Sequence, residues 1–221
     1  GIAFSLVAEA GDAPGRKLVG FALWRILKVR RMWIIFAIAL LYIVPLQASL
    51  GYIVPSSRDA GLSAFEASAV FVALNASAAA CRIVWGRIAD AGGGRRRTRT
   101  LVEVGLLTAA GGVAMIGAWH AGTVWAILPV TVLYAFGAFG WNHLVYVSAG
   151  ESVPAAQAGQ AVSIAATVVF LLAGALTPLV GVLADAEGWT AVWVLFAGLA
   201  ALGALAASRL PERREGAGQQ E

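Results

Sequence analysis

An all-α, polytopic membrane protein, with six transmembrane helices arranged as two inverted three-helix repeats, is the fold class this sequence predicts. Three observations point there: six long apolar stretches, basic residues confined to alternate loops, and an eight-residue pattern that recurs three stretches later. A membrane-spanning helix needs roughly 20 mostly apolar residues to cross a hydrocarbon core of about 30 Å. Such stretches occupy 33–54, 62–85, 101–119, 123–148, 159–184 and 189–208. Composition agrees, with 60% hydrophobic and 13% charged residues and a mean hydropathy of +0.80. Soluble domains carry about 25% charged residues. In lipid, backbone groups must pair within the segment, so the stretches are expected to be helices. A β-barrel would need alternating strands of about ten residues, and none is visible.

Orientation follows from the basic residues. Arg16, Lys17, Arg25, Lys28, Arg30 and Arg31 precede the first stretch, and Arg82, Arg87, Arg95, Arg96, Arg97 and Arg99 bracket the second loop. Arg209, Arg213 and Arg214 follow the last stretch, so 15 of the 16 basic residues share one side and only Arg58 lies on the other. Positively charged loops stay cytoplasmic, which places both termini inside a cell membrane, plasma or inner, with the chain multi-pass. Trp33 and Trp85 then mark the inner interface, and Trp119, Trp125 and Trp189 the outer one. The net charge of +4 reports topology and anionic headgroups. Nucleic acid is excluded as a partner on the same ground.

Taken in order, residues 1–32 form a basic segment, read either as an interfacial amphipathic helix or as a plain basic stop. The first span holds Tyr42, Pro45, Gln47 and Ser49, and Pro45 removes a backbone donor and is expected to kink it. On the second span Ser68, Asn75 and Arg82 recur every seven residues, so they share one face, expected to look into the bundle. A charge in a span costs about 2.5–3.5 kcal/mol on insertion scales, so Arg82 needs a partner or a route to water. Glu103, just inside the third span, is the expected partner, and packing, snorkelling, gating or an anionic substrate are the roles open to Arg82. On the fourth span Gly137 and Gly140 allow close helix approach. Glu66, Glu103 and His143 are the candidates for proton coupling, with a structural hydrogen bond the competing role for His143. Ser163, Thr167, Gly174, Thr177 and Pro178 make a small-residue packing face on the fifth span, and residues 209–221 a cytoplasmic tail. Cys81 is the sole cysteine, so neither a disulfide framework nor a cysteine metal site is expected.

The repeat adds architecture. Gly86-Arg87-Ile88-Ala89-Asp90-Ala91-Gly92-Gly93 and Gly181-Val182-Leu183-Ala184-Asp185-Ala186-Glu187-Gly188 share the pattern G-x-[IL]-A-D-A-x-G, 95 residues apart. Three spans separate the copies, an odd number, so they are expected on opposite sides of the membrane.

The first copy, followed by Arg95, Arg96 and Arg97, resembles the signature loop of the major facilitator superfamily, G-x-L-a-D-r-x-G-r-[KR]. Ala91 stands where that pattern has Arg. The resemblance implies a secondary active transporter that moves a small organic solute by alternating access. Members have twelve spans in two halves. The chain starts at Gly1 without an initiator Met, in a basic segment like the family's central loop, and has six spans. It is therefore expected to be the C-terminal half, with the missing N-terminal six-helix half, the lipid bilayer and the substrate as partners. The resemblance makes Gly86, Asp90, Gly93, Arg95, Arg96 and Arg97 a gate loop, and Tyr42, Gln47, Asn75, Arg82, Tyr134 and Asn142 the substrate path.

Enzymatic classes find no support: G-x-S-G, H-E-x-x-H, paired aspartates and a Walker loop are absent from the sequence. No catalytic residue, metal or cofactor is expected. A self-pairing six-helix half-transporter and a non-transporting membrane scaffold or receptor module are the alternative functions.

Overall fold

The computed structural model describes residues 28–91 and 93–210, the side chains of 93–95 excepted. Among the described residues six α-helices run in order: α1 Arg30–Asp59, α2 Ala64–Asp90, α3 Gly93–Ala121, α4 Val124–Ala138, α5 Asn142–Gly150 and α6 Ala158–Ser208. A short 3-10 turn, Ala155–Gln157, leads into α6. Among the described residues five helical stretches are long and apolar enough to cross a membrane, with α4 and α5 together making one of them.

Local chemistry explains the ends. Ser63 caps α2 reciprocally with Glu66: the Glu66 N–H donates to Ser63 Oγ, and the Ser63 N–H donates to Glu66 Oε2 at 2.8 Å. This satisfies two otherwise orphaned donors. Gly61 (φ 99°) and Gly122 (φ 61°) make the tight turns after α1 and α3, in a backbone region where other residues are strained.

The 51 residues of α6 would measure about 75 Å if straight, far beyond a bilayer. Gly188, with φ 79° and ψ 173°, breaks the helix. Leu176, Leu179 and Val180 line one cleft together with Leu195 and Leu199. These positions lie seven to twelve residues either side of Gly188, so the chain folds back there. α6 is thus two limbs, 158–187 and 189–208, packed side by side.

Helix α1 carries two prolines. It continues unbroken through Pro45 and Pro55 for 30 residues. Packing on both sides holds it: α1 lies against α2 and α6, and Tyr134 Oη donates to the Pro45 carbonyl at 2.8 Å. Tyr134, Trp193 and Phe196 form an aromatic cluster at the centre, with centroids 5.4–6.5 Å apart. Small residues let the backbones close around it. A Cβ on Gly137 would collide with the Thr108 backbone, and one on Gly111 with the backbone of Tyr134.

Candidate functional site

The C-terminal ends of α2 and α5 and the first turns of α3 come together. α2 stops at Asp90 because Ala91, the next residue, closes the last turn. Asp90 is exposed and makes no ion pair or side-chain hydrogen bond among the described residues. Arg97, on the first turns of α3, pairs with Glu151 just beyond α5 at 2.5 Å, and their side chains are 12% and 33% exposed. That partial burial distinguishes the pair from a surface salt bridge, which solvent would weaken. A Cβ on Gly86 would lie 3.6 Å from His143 Nε2, so the imidazole sits against α2 at its glycine. Both ring nitrogens of His143 are enclosed without a hydrogen-bond partner among the described residues. The structural hydrogen bond considered for it is not made. Arg96 is half-buried. Gly93 and Arg95 lie at positions whose side chains are not described.

Glu103 does not pair with Arg82. It accepts from Arg99 Nε at 3.0 Å, one turn back on its own helix, where the i,i+4 spacing brings the two together without any tertiary constraint. Glu66 is committed to the cap of α2 at the opposite end of that helix.

The polar stripe of α2 also differs from expectation. Ser68, Asn75 and Arg82 do share a face, but that face is exposed on the outside of the bundle. Ala67, Val70, Leu74, Ser77, Ala78 and Cys81 are the buried positions. These small and aliphatic side chains pack better against α4 than the polar stripe would. Ser68 Oγ and Asn75 Nδ2 donate to carbonyls one turn back, at 2.8 and 2.9 Å. Arg82 makes no ion pair or hydrogen bond among the described residues. The first limb of α6 repeats the pattern. Ser163 and Thr167 are exposed, and Gly174 has nothing within 4 Å of where its Cβ would be. Of that expected packing face Thr177 alone is half-buried, its Oγ1 enclosed, while Ser163, Thr167, Gly174 and Pro178 are exposed.

The tyrosines of the expected substrate path lie inside. Tyr42 is 2% exposed, and its hydroxyl donates to the Leu101 carbonyl at 2.8 Å. Its ring fills the space left by Gly105 and Gly203, where a Cβ would collide with it. Tyr134 is fully buried in the aromatic cluster. Gln47 and Asn142 are half-buried, with no side-chain hydrogen bond among the described residues. The cleft between α1 and the two limbs of α6, about 310 Å³, is lined by Leu40, Leu41, Val44, Leu176 and other aliphatics, and no path residue lines it.

Three contacts were missed by sequence reasoning. Glu151, just after the fourth stretch, was given no role from the sequence. An acid closing the fourth span on the side of the arginine cluster was the available signal. Trp119 and Trp189 were read only as interface markers, yet their indoles donate to the Ser56 carbonyl (3.0 Å) and Asp59 Oδ2 (2.7 Å). They fasten the C-terminal end of α1 to α3 and to the second limb of α6. No cluster of His, Cys, Asp or Glu able to hold a metal ion occurs among the described residues.

A family model, Major Facilitator Superfamily, matches residues 4–178. No curated protein matches the chain.

Proposed function

The chain belongs to the major facilitator superfamily of membrane transporters, and we propose that it is one six-helix half of a secondary active transporter moving a small organic solute by alternating access. The observation that carries this reading is the exposed stripe of Ser68, Asn75 and Arg82 on a membrane helix. Polar side chains facing hydrocarbon cost several kcal/mol, about 2.5–3.5 for the arginine alone. Such a face is stable only against water or another polar surface. A solvated path between two halves supplies both.

The two limbs of α6 support six crossings, at 33–208, with residues 1–32 and 209–221 on the cytoplasmic side of a plasma or inner membrane. The inverted repeat has a supporting geometry of its own. Gly86 of the second span faces His143 of the fourth, and Gly181 of the fifth faces Tyr52 of the first, where a Cβ would collide with the hydroxyl. Exchanging the two three-helix units maps one contact onto the other. Within the loop, the Arg97–Glu151 pair anchors the start of α3, leaving Asp90 available to a helix of the opposite half. That contact holds in one conformation and breaks in the other, which makes it a gate.

Counterflow of radiolabelled solutes into liposomes containing the full-length protein tests the function. Accumulation driven by solute preloaded at higher concentration, with no added energy source, is the expected result. Absence of counterflow for every solute class would favour the scaffold alternative. Counterflow by a homodimer of this chain alone would favour the self-pairing half-transporter.

A further inference from the structure

Resting on the transporter reading, the geometry points to the class of solute: we propose that Arg82 receives the carboxylate or phosphate of an organic anion, with Asn75 contacting its neutral part. The argument is one of elimination among charges. Arg82 lies eight residues inside the cytoplasmic end of α2, about 12 Å along the axis. By the span bounds 62–85 it lies three residues, about 5 Å, inside the membrane, where a cation takes either a counter-charge or a snorkelling route to the interface. Each acid of the described chain is committed or misplaced. Glu103 is held by Arg99 and Glu151 by Arg97. Glu66 caps the far end of α2, 16 residues and about 24 Å away. Asp90 sits at the helix terminus, about 12 Å distant. Asp59 accepts from Trp189 beside the Gly188 turn, which Asp185 and Glu187 also approach, so all three belong to the other end of the bundle.

The guanidinium is therefore exposed, unpaired among the described residues, and free to present its planar fork. That fork matches the oxygens of a carboxylate or phosphate two at a time. Asn75 lies on the same face, seven residues or about 10 Å toward the outer end. One of its amide hydrogens is used by the Phe71 carbonyl, which leaves the other hydrogen and the oxygen for a ligand. The same oxyanion chemistry has a second source, the phosphate of a lipid headgroup reached by snorkelling.

The experiment uses the full-length protein in phosphatidylcholine liposomes. Counterflow is measured for acetate, lactate, succinate, citrate, inorganic phosphate and glycerol 3-phosphate, with glycerol, glucose and choline as controls. The expected result is counterflow of at least one anion, with KM raised about tenfold or more by Arg82→Gln, the scale of a lost charge-assisted contact. Arg82→Lys should fall between, since an ammonium keeps the charge and loses the fork. It decides the matter should Arg82→Gln fail to fold. Counterflow of neutral or cationic solutes only, unchanged by either variant, overturns the anion proposal and leaves the transporter reading standing. No counterflow of any solute overturns both. Native mass spectrometry supplies the lipid arm: phosphatidylglycerol retained by the wild type and lost in Arg82→Gln, without anion counterflow, assigns Arg82 to a headgroup and overturns the solute. A fall in thermal stability in Arg82→Gln with KM unchanged assigns it to an acid of the opposite half, with the same consequence.

Discussion

Along α3 the exposed positions between 101 and 119 include Leu106, Val113 and Gly117, and along the second limb of α6 they include Val194, Leu202 and Leu205. Along α2 and the first limb, Ser68, Asn75, Arg82, Ser163 and Thr167 interrupt Phe71, Val72, Phe170 and Leu171. All these segments are apolar enough to be membrane helices. The difference lies in what each outer surface can meet. An aliphatic surface suits acyl chains, because no polar group goes unpaired there. On the other surface the hydroxyls donate to carbonyls one turn back, but the remaining amide groups of Asn75 and the guanidinium of Arg82 favour water, a polar partner or a ligand. On the proposed transporter reading, one bundle presents a lipid side and a transport side.

The largest expected effect comes from placing the same charge on each side. Val113→Arg should cost about 2.5–3.5 kcal/mol of insertion free energy and abolish the yield of folded protein. Asn75→Arg should insert and purify as a monodisperse species, because its side chain faces the solvated path. Comparable loss in both variants, read by fluorescence-detected size exclusion, would put α2 against lipid.

A smaller contrast separates the inward and outward faces of one limb. Gly203 abuts the Tyr42 ring, whereas Gly198 has open space where its Cβ would be. Gly203→Ala should destabilise by about 1–3 kcal/mol through overpacking. Gly198→Ala should be neutral or stabilise by up to about 1 kcal/mol through helix propensity. Thermal unfolding in detergent measures both, and equal shifts would mean that the two faces are not distinguished.

The third contrast concerns the two copies of the repeat. In the full-length protein Asp90→Asn should move the balance between inward- and outward-open states about tenfold, by loss of a charge-assisted contact, and slow transport at near-normal expression. Asp185→Asn should do less, because no basic cluster follows it. Equal and negligible effects on transport rate would reduce Asp90 to a solvated loop residue.

Helix positions were legible in the sequence because hydropathy and length are properties of single segments. The stretch 62–85, for example, lies within Ala64–Asp90 but for its first two residues. Periodicity also placed Ser68, Asn75 and Arg82 on one face. It could not say which way that face turns, because orientation depends on which surface packs better against the neighbours. The aliphatic Val70–Leu74–Cys81 side won the interior. The same limit applies to Arg82 and Glu103, both in plausible register, since a competing arginine one turn from Glu103 captured it. Pro45, read as a kink from local chemistry alone, lies inside one continuous helix, 30 residues long. Tyr42 was assigned to the path on its polarity, but its hydroxyl is satisfied by a carbonyl inside the bundle. Small residues were the most transferable signal. Gly137 and Gly140 do meet Thr108 and Trp85 closely, because a missing side chain is itself the room for a neighbour.

Water access along α2 is the most direct measurement of a transport side. Cys81, the only cysteine and buried, is first replaced by serine. Single cysteines are then placed at Ser68, Asn75 and Arg82, and at Val113 and Leu202 on the other side. In full-length protein in native membranes, a small charged thiol reagent should modify the α2 positions and spare Val113→Cys and Leu202→Cys. Protection of all five positions, or equal labelling of both sets, would contradict a solvated face on α2 and with it the transporter half.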